Sequence, residues 1–375
     1  MRERSWRRYL YEGKPVSETD EMLDATTALV PPLLTALDAL AYAGRHMHPP
    51  NIPAVVGAIE SYEQPLQAGL EVFSAVAWPD DLQEFVEHAR SSAILALKAY
   101  AGFTAAAADP GPAMLAYRAM GLATKAVEAA YPLTYMLPPV SRYFLEPSHR
   151  DDKTLLAALS QNNPEQPNVG VMHADNASQQ RGGFSVYVPE SYAGEKVPLV
   201  MALHGGSGHG RQFLWSWLRA ARTHNCIVIS PTSQDRTWSL MDPEQDSDRL
   251  AQLVSYAREN WQIDEENILL AGMSDGGTFS YVSGLTADSP FTHLAPCSAS
   301  FHPMLLEVVD DQRIKDLPVY LTHGALDWMF PVDVARTAQN ALTIAGAEVV
   351  YREIEDLSHT YPMEESAAIL QWLKT

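Results

Sequence analysis

Residues 267–277 read Asn-Ile-Leu-Leu-Ala-Gly-Met-Ser-Asp-Gly-Gly, and Thr-Phe-Ser-Tyr-Val follows at 278–282. The run from Asn267 to Ala271 is short, apolar and strand-like, and the segment from Thr278 reads as a helix. Between them Gly272-Met273-Ser274-Asp275-Gly276 has the spacing G-x-S-x-G at a strand–turn–helix junction. A serine at such a junction sits on a turn so tight that its own backbone is strained. Glycines two residues to either side let strand and helix approach without side-chain clashes. The hydroxyl then projects into a crevice, and the helix N-terminus behind it favours developing negative charge.

Outward from this junction the second part of the chain alternates two patterns. Strand-like runs occur at 183–188, 197–203, 226–230, 267–271, 294–298, 318–322 and 348–354. Helical spacing fills 211–224, 246–261, 278–285 and 334–345. Such alternation predicts an α/β domain, a mostly parallel twisted sheet covered by helices on both faces. Ligands bind such sheets beyond the carboxyl ends of the strands, so the residues just after each strand are where chemistry is to be sought.

The first part reads differently. Up to about residue 131 it is rich in Ala and Leu at helical spacing, with segments at 18–43, 54–76, 81–100 and 112–130. Pro31-Pro32 interrupts the first, and Pro/Gly marks such as Asp109-Pro110-Gly111-Pro112 separate the others. We expect a small all-helical bundle over 1–150 and the α/β domain over 151–375, with the polar stretch 160–168 as a linker or surface loop. The bundle is expected to serve either as a cap over the crevice or as a surface for homo-oligomers.

The chain has 375 residues, beyond the roughly 250–300 at which single cores stop growing. Its 46 acidic against 26 basic residues give a net charge of −20, of which −15 falls in 151–375. Like charges repel, which argues against nucleic-acid backbones and anionic membranes as partners. The start is basic but no apolar run follows it, so no signal peptide is expected. No window approaches ~18 uninterrupted apolar residues, so no membrane span is expected either. Cys226 and Cys297 each sit in an apolar run and read as buried free thiols. These features fit a reducing cytoplasm.

Serine is a poor nucleophile unless a base takes its proton. Past Ser274, the strand-like run 318–322 ends in His323-Gly324-Ala325-Leu326-Asp327, which places Asp327 on the loop beyond it. Asp333 is the rival acid, but Pro-Val-Asp before an Ala-rich helix suits a helix cap. After the last strand comes Leu357-Ser358-His359-Thr360-Tyr361-Pro362, which puts His359 on a loop within reach of the crevice. His293, His302 and His323 precede or abut strands and fit the base less well. Ser274, Asp327 and His359 are therefore the candidate catalytic set, in the order nucleophile, acid, base.

An acyl-transfer site also needs donors for a tetrahedral oxyanion, typically ~3–4 kcal/mol each. One is expected to be the N–H of Asp275, just after the serine. The other is expected from His204-Gly205-Gly206-Ser207-Gly208-His209-Gly210, which follows the run 197–203. We favour Gly206, with Gly205 or Ser207 as alternatives. The carboxylate of Asp275 would oppose an oxyanion and is expected to point away and accept hydrogen bonds. Trp238, Trp328 and Tyr361 lie on crevice-side loops and are candidate substrate contacts, with packing as the default. The glycine loop fails the dinucleotide spacing, because Arg211 or Phe213 falls where the third glycine must be. No phosphate-loop, C-x-x-C or H-E-x-x-H motif occurs, and His46-Met47-His48 lacks carboxylate or Cys neighbours, so no cofactor and no metal are expected.

Taken together, these motifs resemble the serine esterases of the α/β-hydrolase fold. They are nearest to the bacterial phospholipase/carboxylesterase group, akin to polyhydroxybutyrate-depolymerase-like esterases. The resemblance spans roughly residues 180–375. It implies an eight-stranded-type sheet, a Ser274–His359–Asp327 triad and cofactor-free hydrolysis of carboxylic esters. Secreted depolymerases of this circle carry signal peptides, which this chain is not expected to have. The expected activity is that of a serine carboxylesterase acting on short-chain esters of neutral or hydrophobic alcohols, since an acidic domain repels anionic esters. It should fall below about pH 6.5, where an imidazole base becomes protonated. A thioesterase, lysophospholipase or peptidase would use the same residues, and an inactive hydrolase fold acting as a binding protein is the non-enzymatic alternative.

Overall fold

The computed structural model describes residues 16–161 and 166–375; the basic N-terminal stretch and the middle of the polar segment 160–168 lie outside the described residues. The chain divides into two compact units, Met1–Gln166 and Pro167–Thr375. The division falls within the polar stretch, so the helix Lys153–Leu159 belongs to the first unit.

The first unit is all-helical among its described residues: α1 (Val16–Arg45), α2 (Ile52–Ile59), α3 (Glu63–Ala75), α4 (Gln83–Ala107), α5 (Ala113–Ala130) and the short α6 (Pro138–Tyr143) and α7 (Lys153–Leu159). The expected segment 54–76 is two helices, joined by a 3-10 turn at Glu60–Tyr62. α4 and α5 meet along an alanine seam that includes the buried Ala89, Ala96 and Ala99 of one and Ala116, Ala119 and Ala126 of the other. Ser92 ties the seam by donating to the carbonyl of Ala126 at 2.8 Å.

Pro31-Pro32 does not interrupt the first helix; α1 runs through both. A proline inside a helix removes a donor from the carbonyl four residues back. Pro32 leaves the carbonyl of Ala28 without its N–H, and Gly69 of α3 packs so close to that oxygen that any side chain would collide with it. The neighbouring helix thus fills the place where the ladder is broken. By length and composition alone, 19–45 would suffice to cross a membrane, although polar residues interrupt its apolar run. Half of its apolar window is buried inside the unit, and a core helix has this same composition.

The second unit is one eight-stranded sheet, as the resemblance implied. Its strands are β1 (Gly170–Ala174), β2 (Phe184–Val188), β3 (Val197–Leu203), β4 (Ile227–Pro231), β5 (Ile263–Met273), β6 (His293–Cys297), β7 (Pro318–Gly324) and β8 (Glu348–Ile354), in the order β1-β2-β4-β3-β5-β6-β7-β8. β1 pairs antiparallel with β2, and β2 with β4; all other pairings are parallel. Every residue of β3 and β4 is buried, which means that both faces of the sheet centre are covered. The helices are α8 (Gly210–Phe213), α9 (Trp215–His224), α10 (Glu244–Asn260), α11 (Asp275–Gly284), α12 (Asp311–Ile314), α13 (Asp333–Ile344) and α14 (Met363–Trp372). The core joins Leu199, Met201, Ile229, Leu270, Phe279 and Leu321 with residues of α10 and α13.

One ion pair lies inside this core. Arg222 of α9 donates through Nε to Glu190 just past β2, at 3.0 Å, and the two side chains are 3% and 1% exposed. Tyr187 donates to the same carboxylate at 2.8 Å. Removing one member of such a pair strands the other charge. Glu190→Ala is therefore expected to lower stability by about 3–5 kcal/mol, read as a shift of the urea unfolding midpoint.

Candidate active site

At the carboxyl end of β5 the chain turns directly into α11 through Ser274, whose backbone has φ 55° and ψ −121°. Positive φ at a non-glycine residue costs on the order of 1–3 kcal/mol and persists only where the surroundings over-determine it. Here the surroundings do so. The N–H of Ser274 donates to the carbonyl of Cys297 at the end of β6, at 2.9 Å. Its carbonyl accepts from the N–H of Thr278 at 2.8 Å and from the Thr278 hydroxyl at 3.1 Å. A side chain on Gly272 would collide with the backbone of Gly276, and one on Gly276 would collide with the carbonyls of Leu203 and His204. The two motif glycines therefore allow backbone-to-backbone contact between β3, β5 and α11.

The three candidate residues, far apart in sequence, come together. Nε2 of His359 lies 3.0 Å from Oγ of Ser274, and Nδ1 of His359 lies 2.8 Å from Oδ2 of Asp327. In this arrangement the Nδ1–H donates to the carboxylate and the lone pair of Nε2 accepts from the serine hydroxyl. All three residues are buried. The N–H groups of Met329 and Phe330 both donate to Oδ1 of Asp327, each at 2.9 Å. Burial alone would raise the Asp327 carboxyl, but the His359 hydrogen bond and charge, with the Phe330 and Met329 amides, outweigh it and hold the group below its ordinary value. The Phe330 ring meets the His359 ring edge-on at 5.4 Å. Asp333, the rival acid, opens α13 instead; its side chain is exposed and pairs with Arg336 at 2.9 Å.

His323 stands closer to this group than its position at the end of β7 suggested. It is fully buried, its Nε2 donates to the carbonyl of Phe330 at 2.9 Å, and the same nitrogen lies 3.5 Å from Oδ2 of Asp327. Burial lowers its pKa, so the ring is held neutral. The sequence signal for it is the four-residue spacing to Asp327 across a tight turn.

The glycine loop after β3 lies directly against the serine. A Cβ on Gly205 would stand 3.3 Å from Cβ of Ser274, and one on Gly206 would stand 2.5 Å from Oδ2 of Asp275. Asp275 is the first residue of α11, where helical geometry leaves the backbone N–H unused. The N–H of Gly206 takes no part in the loop hydrogen bonds among the described residues. The Asp275 carboxylate accepts from the Thr237 hydroxyl at 2.6 Å.

The three aromatic candidates separate. Trp328 is 46% exposed on the Asp327 loop, beside the exposed Met329. Tyr361 is half-buried, hydrogen-bonded to Ser366 at 3.0 Å and packed against Phe213 and Trp217. Trp238 is not open to the crevice: it is buried, stacks on Phe279, and its indole N–H donates to the carbonyl of His204 at 2.8 Å. A loop position that the sequence left free for ligand contact is thus used to hold the end of β3. Among the described residues no group of three or more His, Cys, Asp or Glu side chains could hold a metal ion. Cys226 and Cys297 are buried and free.

His204 gives this site an acid sensitivity of its own. Its Nδ1–H donates to the carbonyl of Gly205 at 2.7 Å, and its Nε2 accepts from the N–H of Ser233 at 3.1 Å. The acceptor role of Nε2 requires the neutral ring, and burial lowers its pKa to about 3. The unfolded chain binds this proton near pH 6.5 and the folded chain does not. Stability from His204 is therefore present above about pH 6.5 and lost as the pH falls toward about 3. Urea midpoints followed by tryptophan fluorescence should fall across this window. His204→Gln, though less stable at neutral pH, should show a shallower slope.

Residues 197–375 match the phospholipase/carboxylesterase family. A curated relative, a bifunctional acetylxylan esterase/xylanase from Neocallimastix patriciarum, is 26% identical over 146 residues, which is 38% of this chain. The chain spans about a fifth of that relative's length (21%). Among solved structures, a fluorophosphonate-binding serine hydrolase of Staphylococcus aureus is 15% identical, with a TM-score of 0.44 over 55% of this chain and 97% of that one. A thermostable esterase is 20% identical, with a TM-score of 0.40 over 55% of this chain and 60% of that one.

Proposed function

We propose that the protein hydrolyses short-chain carboxylic esters through an acyl-enzyme formed on Ser274. One observation carries this reading: hydroxyl, imidazole and carboxylate stand in line at 3.0 and 2.8 Å beside a helix N-terminus. The family match over 197–375 and the similarity to an esterase support the reaction class. His359 takes the Ser274 proton as the oxygen attacks the ester carbonyl. The N–H groups of Gly206 and Asp275 hold the oxyanion as the tetrahedral intermediate forms. His359 then passes its proton to the leaving alcohol, and water, activated by the same ring, releases the acid. Asp327 fixes the Nδ1–H tautomer and stabilises the imidazolium; its low pKa keeps it ionised throughout. The Asp275 carboxylate is occupied by Thr237, which leaves only its amide for the oxyanion.

The substrate preference rests on the surrounding charge and on the relative. A strongly acidic domain disfavours anionic esters, and the matched relative is a bifunctional acetylxylan esterase/xylanase, so neutral acetyl esters are the preferred substrates of this reading.

Ser274→Ala is expected to lower turnover of p-nitrophenyl acetate by on the order of 10⁵-fold with unchanged circular dichroism, and to abolish fluorophosphonate labelling. Asp327→Asn, which keeps the shape but favours the wrong tautomer, should cost on the order of 10⁴-fold in kcat. Across ester, thioester and amide substrates of rising acyl length, kcat/KM should be highest for short-chain esters. A wild-type protein that neither reacts with the probe nor turns over any of these substrates would instead be a binding protein.

A further inference from the structure

The turn that would carry the oxyanion donor is not stable by itself. Gly205 to Gly208 closes through the Gly208 N–H, which donates to the Gly205 carbonyl at 2.9 Å, and this geometry puts Ser207 at φ 58°. A serine there is strained, by about 1–2 kcal/mol. The strain is balanced from outside the turn. Residues 233–238, which follow β4, line the glycine loop. The N–H of Ser207 donates to the carbonyl of Arg236 at 2.9 Å, and Nε of Arg236 donates back to the Ser207 hydroxyl at 2.7 Å. Ser233 and Trp238 donate to the ring and the carbonyl of His204. Thr237 donates to Asp275 and so ties the same strip to the helix of the nucleophile.

One side chain joins the turn and the strip. Arg181, on the connection between β1 and β2, donates from Nη1 to the Gly208 carbonyl at 2.6 Å, from Nε to the Ser233 carbonyl at 3.1 Å, and from Nη2 to the Asp235 carbonyl at 2.6 Å and to the Ser233 hydroxyl. Its own base is anchored to the loop it holds: the preceding carbonyl, that of Gln180, accepts from Nε2 of His209 at 2.8 Å. A planar fork with fixed N–H directions suits four such acceptors on two loops; a lysine ammonium has three donors and no fixed plane.

Resting on the ester-hydrolase reading, we propose that Arg181 is the positioning residue that holds the glycine loop in its oxyanion-binding shape. Its hydrogen bonds go to the glycine loop and to the 233–235 strip, and none goes to Ser274 or His359. Without it, the Gly208 carbonyl loses its external donor and the strained Ser207 turn relaxes, which carries the Gly206 N–H away from the developing charge. The defect belongs to the transition state, so it falls on kcat rather than on KM.

The test compares wild type with Arg181→Ala and Arg181→Lys. Arg181→Ala should lower kcat for p-nitrophenyl acetate by on the order of 10²-fold with KM changed less than about threefold. Fluorophosphonate labelling of Ser274 should slow in parallel, because phosphonylation uses the same oxyanion donors. The pH at which the acid limb reaches half-maximum should not move, since the His359–Asp327 pair is untouched. Added methylguanidinium should restore activity to Arg181→Ala but not to Arg181→Lys, which should be intermediate. Amide exchange over 204–208, followed by mass spectrometry, should quicken in Arg181→Ala whether or not the protein is active. Unchanged exchange, or a folded Arg181→Ala within about twofold of wild-type kcat and labelling rate, would overturn the role of Arg181. Should Arg181→Ala fail to fold, the kcat and amide exchange of Arg181→Lys decide the question by the same criteria. Failure of the ester-hydrolase reading is seen separately, as wild-type protein that the probe does not label at Ser274.

Discussion

Ser274 keeps a left-handed backbone because glycines let the ends of β3, β5 and α11 close to backbone contact around it. This one steric constraint sets much of what surrounds it. The hydroxyl is raised off the sheet because the strand has no room to continue. The helix begins at the next residue, so an unused N–H stands beside the hydroxyl. The glycine loop can lie over both because Gly205 and Gly206 carry no side chains to strike Ser274 or Asp275. Larger residues at these places would separate the elements rather than merely crowd them.

Around this junction the polar groups are arranged by satisfaction. Asp327 meets donors on both oxygens, from two amides on one and from His359 on the other. His204 uses both ring nitrogens and so stays neutral. Asp275, whose charge would work against an oxyanion, is engaged by Thr237. Each group thereby has one favoured charge state and one direction. That suits the proposed site, which would meet a developing charge without first reorganising.

The repeating parts of the fold were legible because they depend on local periodicity. β3 and β8 have the bounds that the apolar runs suggested, and the other expected strands agree within a few residues. β1 was not legible: Gly-Val-Met-His-Ala is short, half-exposed and lies at the sheet edge, where little apolar patterning is required. α1 continues through two prolines for a reason that sequence does not contain, since the freed carbonyl of Ala28 is covered by Gly69 of another helix. Trp238 reads as a crevice residue in the sequence, yet it lies in the core because its indole has a carbonyl to hold.

The sequence by itself determined the alternation of most strands and helices and the turn at Ser274, and it placed Asp327 on a loop past a strand and Asp333 at the start of a helix. All of these follow from local spacing and from which residue types a tight turn admits. Only the tertiary structure decided how Ser274 and Asp327, 85 and 32 residues before His359 in the chain, each come within 3.0 Å of its ring. It also decided that His323 stands beside Asp327 and that Arg181 grips the glycine loop. Those contacts depend on the parallel register of neighbouring strands and on where each loop crosses their ends. Register is a property of paired backbones, and no single stretch of residues carries it.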